Sequence, residues 1–483
     1  MATAQAFLPP AEPEPKAAPA AAPEYGFHVD GEIAGDRVER FLKAFAAILH
    51  YGNYRPVLDG YAAAVAACGR CAVSCPVYTV SGDPRDIPCH RTHLLLDVYR
   101  RHLCLGGWLR SRVGHGRELT EELVDEMAET FWRCTACKRC SLECPLGIDH
   151  ALLVHLGRYI LSMAGIAPKA LQVSVREQLE GETGNTSKLP KPALLSNIEF
   201  LEEELEELLG LEVKFPVDQP GRDMVFFCAV SDYLMEADTL MGNAAVLYAA
   251  GDAERWTIGS GNFDAINYGL FYSDWHLERI IRRMVGEVAR LGGRSILVGE
   301  CGHASRSAKD YVPVFGGELT VPVESITEYT WRALKEGRIE LDPDVITERV
   351  TYHDPCNISR SGWIIDQPRE ILTSFVKDFV EMAPHGRENY CCGGGGGLVS
   401  MDETHDFRME IGGRLKAEQL RRTRANICIA PCANCKKQLK ELVEHYQIPC
   451  QVMGLHDLIL QALVIPGATS PRERREYLAA QPA

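Results

Sequence analysis

The stretch "ENYCCGGGGGLVS", Glu388 to Ser400, sets two adjacent cysteines ahead of five glycines. Neighbouring side chains point to opposite sides of an extended backbone, and a disulfide between neighbours is strained. Adjacent sulfurs suit an irregular iron-sulfur cluster, in which each binds a different iron; a cube or a single zinc leaves one thiolate idle. Working outward, Cys356 stands upstream and Cys432-x2-Cys435 downstream, which brings five sulfurs into one segment. Glycine backbone approaches a cluster closely and offers it unhindered N–H groups.

The surrounding texture is α/β. After Gly221 short apolar runs such as "DMVFFCAV", "ERWTIG" and "SILVGE" alternate with helical patterns, and the alternation returns in "VTYHDPCN", "PREILTSFVKDFV" and "NICIAPC". Strands alternating with helices predict parallel sheets. Two halves line up as a repeat: strands ending at Cys228 and Cys301 match strands ending at Cys356 and Cys432. A cysteine at the carboxyl end of a strand sits where such sheets hold ligands. The first half has no adjacent pair, and Ala304 stands where Cys435 stands in the repeat. It is expected to be a structural partner without a complete cluster, and Cys301 with His303 is open between a substrate cleft and a structural role.

Upstream, "CTACKRCSLECP" gives Cys134-x2-Cys137-x2-Cys140-x3-Cys144-Pro145, the spacing of a 4Fe-4S site in which the fourth cysteine ligates the neighbouring cluster. A structural zinc would need four thiolates, usually as two separated pairs, and leaves the proline unexplained. Cys68-x2-Cys71-x3-Cys75-Pro76 repeats the motif with Val65 in place of its first cysteine. Crossed ligation then completes one site with Cys134, Cys137, Cys140 and Cys75. The other has Cys68, Cys71 and Cys144 and lacks a thiolate. A 3Fe-4S cluster, a water or other side chain, or a distant cysteine would each answer the vacancy. Cys89, in a loop stiffened by Pro88, is the favoured donor over Cys104.

The expected fold class is α+β: a helical two-cluster ferredoxin domain followed by two repeated α/β halves. The expected order is an Ala/Pro-rich disordered tail (1–35), the two-cluster domain (36–165), a linker with a solvated acidic helix (166–220), the first half (221–345), the second half with the catalytic cluster (346–465) and a C-terminal tail (466–483). Eighteen cysteines in tight groups read as metal ligands rather than a disulfide scaffold, and fit a reducing compartment. A net charge of -15 argues against nucleic acid as a partner. No run approaches the roughly 18 apolar residues of a membrane span.

The residues "HDPC", "YCCGGGGG" and "APCANC" resemble the CCG domain of the heterodisulfide reductase catalytic subunit family, and "CTACKRCSLECP" ahead of two such halves resembles the fused HdrD architecture. With "GECGHASRSA" and "PCANCKKQLKEL", the chain is most similar to DsrK subunits of DsrMKJOP complexes, with the corresponding Hmc and Tmc subunits close. The likeness spans about residues 36 to 465. It implies an oxidoreductase in which Cys356, Cys391, Cys392, Cys432 and Cys435 hold a noncubane 4Fe-4S cluster. It also implies a cytochrome b-type membrane subunit with other redox subunits, a small sulfur-carrier protein with redox cysteines as substrate, and peripheral attachment at the cytoplasmic face of the membrane. The contrasting expectation is an electron-transfer subunit of a glycolate or glycerol-3-phosphate type flavin dehydrogenase, without a substrate of its own.

Overall fold

The computed structural model describes residues 36–104 and 117–480. The Ala/Pro-rich tail read at 1–35 lies outside the described residues. The chain divides into two compact units, and neither is continuous in sequence: one takes the segments up to Val175, Tyr268–Glu278 and Gly393–Leu415, the other Arg176–Asn267, Arg279–Cys392 and Lys416 onward.

The first unit is helical. Asp36 caps Arg37–Tyr51 through its side chain, Thr120 caps Glu121–Trp132, and Asp149 caps His150–Met163 with bonds from the amides of Ala151 and Leu152. These caps satisfy amides that a helix start leaves without partners. The helices bury Phe41, Phe45, Leu95, Val124, Phe131, Leu156 and Ile160 in one core. The cysteine groups occupy the irregular segments between them, with only the short helices Arg70–Ser74 and Arg139–Leu142.

The second unit holds two four-stranded parallel sheets. In the first, β1 (Met224–Phe227), β2 (Trp256–Ile258), β3 (Ser295–Val298) and β4 (Val323–Ser325) lie in the order β2-β1-β3-β4. After β5 (Glu340–Leu341), the second sheet sets β6 (Val350–Tyr352), β7 (Phe379–Val380), β8 (Ile427–Ile429) and β9 (Gln451–Met453) in the order β7-β6-β8-β9. β10 (Leu463–Val464) pairs antiparallel with β5. The registers correspond as well: Val225 opposite Ile296 in one sheet, Thr351 opposite Cys428 in the other. The repeat read in the sequence is therefore a repeat of topology. In both halves the chain leaves this unit after the second strand, at Tyr268 and at Gly393, for a segment belonging to the first unit. The contiguous boundaries expected from composition miss these two excursions, because they are short and follow strands of unremarkable pattern.

Two segments are more ordered than expected. Lys191–Leu209 is no solvated linker helix: Leu194, Ile198, Leu201, Leu205 and Leu208 are buried in the core while Glu203, Glu206 and Glu207 face outward. Alternating four- and three-residue steps give one apolar stripe, which the overall acidity of the segment masks. The C-terminal tail carries a helix, Pro471–Ala480, with Arg474 buried and its guanidinium donating to the Leu463 carbonyl.

Candidate iron-sulfur sites

Cys75, Cys134, Cys137 and Cys140 line one cavity of the helical unit. The loop that carries the last three passes through left-handed backbone at two residues other than glycine, Ala136 (φ 52°) and Lys138 (φ 60°). That conformation costs energy and persists where surrounding structure demands it. Here it turns the Ala136 amide onto Cys134 Sγ at 3.4 Å. Burial pushes the Cys75 thiol up to about 11 and Cys140 well above its ordinary range. Sulfurs gathered in an apolar cavity are a donor set that a metal cluster would hold as thiolates.

Cys68, Cys71, Cys89 and Cys144 line a second cavity, together with Val65, Ala66, Pro145 and Ile148. The vacancy left by Val65 thus faces four sulfurs, one of them outside the motif. Cys89 does not sit in a loop as expected; it lies in the first turn of Pro88–Val98. Proline at the first helical position needs no amide partner there, and the helix start favours negative charge at the next residue. A hydrogen bond from Cys71, then bonds from the amides of Gly69, Cys89 and His90, hold the Cys89 thiol down to about 6 against its burial. Cys104 is elsewhere, with its sulfur 3.9 Å from Asp59 Oδ1. His150, not singled out by the sequence, lines both cavities, and burial pushes its imidazole down to about 4, so it stands neutral.

The third group belongs to the α/β unit. Cys435 Sγ lies 3.4 Å from Cys392 Sγ, Cys392 is hydrogen-bonded to Cys391, and Cys432 to Cys435. Bonds from Cys391, Cys435 and His353 hold the Cys392 thiol well below its usual range. Cys432 is likewise held low by Cys301 and Cys435. Cys432 caps helix Ala433–His445 and Cys435 falls in its first turn, so the CxxC spacing turns both sulfurs to one side. Cys356 is buried four residues past β6, just before the helical turn Asn357–Ser361, and among the described residues it forms no hydrogen bond to another cysteine.

His353, one residue past β6, is the functional residue that motif reading missed. One of its ring nitrogens, Cys392 Sγ and Cys435 Sγ lie within 4.8 Å of one another, all buried. The only signal for it was its place in "HDPC".

The glycine run answers to backbone packing in the helical unit. Gly393 (φ 99°) passes so close to Gly413 that a Cβ would meet its amide nitrogen at 2.5 Å. At Gly396 (φ 68°) a Cβ would meet the Cys134 carbonyl at 2.7 Å. Buried Arg158 fastens this approach, donating to the carbonyls of Gly396 (2.9 Å), Cys134 (2.6 Å) and Phe131 (2.7 Å).

Residues 350–440 match the cysteine-rich domain family, and residues 66–148 the 4Fe-4S dicluster domain family. The Hdr-like menaquinol oxidoreductase iron-sulfur subunit of Archaeoglobus profundus is 27% identical over 452 residues, covering 85% of this chain and 81% of the relative. Iron-sulfur subunit 2 of the corresponding Archaeoglobus fulgidus enzyme is 28% identical over the same length. The D subunit of the dihydromethanophenazine:CoB–CoM heterodisulfide reductase of Methanosarcina barkeri is 24% identical over 405 residues, covering 82% of this chain and 92% of the relative.

The chain is similar to HdrD iron-sulfur subunits and carries a cysteine-rich domain and a 4Fe-4S dicluster domain. Its cofactors are two ferredoxin-type clusters and one noncubane cluster. The sulfur-lined cavities of the helical unit and the cysteine group of the α/β unit fit that complement by donor type. The chain is accordingly an oxidoreductase; the dicluster match lies in the helical unit, and the cysteine-rich match lies in the α/β unit except for Gly393–Leu415. Among its described residues no helix is long and apolar enough to cross a membrane.

Proposed function

We propose that this chain is the iron-sulfur subunit of a membrane-attached redox complex of the DsrK kind. In this reading it moves electrons between a quinone-linked cytochrome b-type subunit and a disulfide- or trisulfide-type bond on a small sulfur-carrier protein of the DsrC type. The single observation that carries this is the run of contacting sulfurs Cys391, Cys392, Cys435 and Cys432, with Cys392 and Cys432 held toward thiolate. A purely structural metal site has no use for adjacent cysteines.

In this reading Cys75, Cys134, Cys137 and Cys140 hold one ferredoxin-type cluster, and Cys68, Cys71 and Cys144 with Cys89 hold the other. Cys391, Cys392, Cys432 and Cys435, with Cys356, hold the noncubane cluster. When bound, that cluster supplies irons that accept sulfur ligands and a store for electrons arriving singly. The protein's own part is to hold the sulfurs, keep out water and set a donor, the His353 N–H, beside Cys392. Cleavage of one S–S bond consumes two electrons and two protons and yields two thiols. The names of the relatives, a menaquinol oxidoreductase subunit and a heterodisulfide reductase subunit, support the two ends of this path. The site for the complex is the cytoplasmic face of the membrane, held through partner subunits.

Cys392→Ser, purified with its complex, tests the reading. Reduction of the carrier's disulfide is expected to be abolished while the ferredoxin-type EPR signals stay. Wild-type cleavage rates in this variant would remove the catalytic assignment.

A further inference from the structure

The sulfur chain does not end at Cys432. Cys301, from the half without a cysteine pair, hydrogen-bonds through its thiol to Cys432 and is fully buried. The two residues occupy equivalent places. Cys301 follows β3 and caps helix Gly302–Phe315; Cys432 follows β8 and caps Ala433–His445. The Cys301 amide bonds the Gly299 carbonyl at 2.7 Å, and the Cys432 amide bonds the Ala430 carbonyl at 2.7 Å. The carbonyl of each cysteine then receives the first helical bond at 2.8 Å, from Ser305 and from Lys436.

These twin turns are pinned together. The Ala433 amide donates to the Glu300 carbonyl at 3.1 Å, and the buried Glu300 carboxylate accepts the amides of Leu455 (3.0 Å) and His456 (2.5 Å) at the start of helix Leu455–Ala462. Two charge-assisted bonds from a helix start fix that carboxylate, and with it the neighbouring residue. Cys301 therefore meets Cys432 through rigid elements on both sides.

We propose that Cys301 is a sulfur ligand of the same iron-sulfur cluster as Cys432, so that both halves contribute to one centre. This rests on the assignment of the second-half cysteines as ligands of the noncubane cluster. Each half of the repeat supplies one strand-to-helix turn with a cysteine at the helix cap. The second adds Cys435 one turn on, where the first has Ala304, buried and without a donor. Ala304 leaves the first half short of a ligand set for its own cluster, while Cys301 stays in contact with the sulfurs of the other. Ligation forms one Fe–S bond and releases the thiol proton to solvent as the cluster assembles; no electron moves.

The test replaces Cys301 by ⁷⁷Se-selenocysteine in the full-length holoprotein, which keeps size and geometry. The oxidised noncubane EPR signal is expected to broaden through ⁷⁷Se hyperfine coupling, with the ferredoxin-type signals unchanged. Cys432→selenocysteine is the control. If the control broadens the signal and Cys301→selenocysteine leaves its width unaltered, the proposal is overturned. If neither broadens it, the ligand assignment of the second half falls as well. As a second variant, Cys301→Ala is expected to lose or shift the noncubane signal alone. A separate loss of about four irons with that signal intact would instead show a cluster in the first half, and would also overturn the proposal.

Discussion

The Lys416 ammonium donates to Asn389 Oδ1 at 2.6 Å, deep in the α/β unit. A lysine nitrogen of that kind only donates, so the amide is oriented with its nitrogen turned away. Asn389 Nδ2 then donates to the Asp354 carbonyl at 3.0 Å and reaches His353 Nδ1 at 3.4 Å. His353 Nδ1 is thereby the acceptor and the ring proton sits on Nε2, in a ring that stands within 4.8 Å of Cys392 Sγ and Cys435 Sγ. Burial pushes the imidazole down, consistent with a neutral ring. Lys416, Asn389 and Asp354 thus set the tautomer of the His353 ring beside Cys392, which the proposed function makes a cluster ligand.

A hydrogen bond to a ligand sulfur favours the more electron-rich state of a cluster. His353→Phe is expected to lower the noncubane midpoint potential by an amount on the order of tens of mV, and Lys416→Met to do the same by releasing the amide and removing a charge. Redox titration followed by EPR measures both. An unmoved potential in His353→Phe would show that its Nε2 proton points elsewhere.

Much of this site could be read from the chain alone, and the division is physical. Cysteine spacing within a loop reports which sulfurs share a cavity, because short segments have little conformational choice. Cys134, Cys137 and Cys140 and the odd Val65 were legible for that reason. Strand and helix periodicity exposed the repeat, since each half buries its own sheet. What joins residues far apart was not legible: Cys301 with Cys432, Lys416 with His353, Arg158 with Gly396. Those pairings are made by sheet order and helix packing, which leave no local mark. The leucine stripe from Leu194 to Leu208 was present but hidden under glutamates.

Arg158 supplies a prediction about stability. Its guanidinium satisfies the carbonyls of Phe131, Cys134 and Gly396 and lies 4.3 Å from the centroid of the Trp132 ring. Burial pulls it down to about 10, still charged at neutral pH. Arg158→Met leaves the Cys134 and Gly396 carbonyls without a donor, while the Phe131 carbonyl keeps the Cys134 amide at 3.2 Å, and is expected to cost about 3 kcal/mol, at about 1.5 kcal/mol for each lost bond to a charged donor. Denaturant-induced bleaching of the clusters should come at lower concentration, with Arg158→Lys between the two. A midpoint equal to wild type would mean that water replaces the guanidinium.

A pH dependence follows from Asp264. Burial raises its carboxyl to about 6, although Thr186 and the Ile266 amide hydrogen-bond to it. Between its unfolded value near 4 and 6, the folded state binds more protons than the unfolded one, so stability falls as pH rises through that window. The full contribution is about 3 kcal/mol, of which about 1 kcal/mol is lost between pH 5 and 7. Asp264→Asn is expected to flatten that part of the slope, whatever its effect on absolute stability. Urea unfolding of both proteins at several pH values gives the comparison, and identical slopes would rule the carboxyl out.

The last prediction concerns Val65, whose branched side chain offers no donor where the motif calls for a cysteine. Its side chain and Cys89 line the same cavity as Cys68, Cys71 and Cys144. Cys89 alone among the candidates has both the position and a thiol held down to about 6, first by the hydrogen bond from Cys71 and then by the amides of Gly69, Cys89 and His90. Cys89→Ala is therefore expected to convert one ferredoxin-type cluster to a 3Fe-4S form, visible as a new signal in the oxidised EPR spectrum. Cys104→Ala, whose sulfur sits beside Asp59 and outside the cavity lining, should leave the spectrum alone. The double variant Val65→Cys with Cys89→Ala should recover the 4Fe-4S signal, because the new thiol enters the same cavity from the motif position. An unchanged spectrum in Cys89→Ala would mean that water or another side chain holds the fourth iron, and Val65→Cys alone would then alter the signal by displacing that ligand.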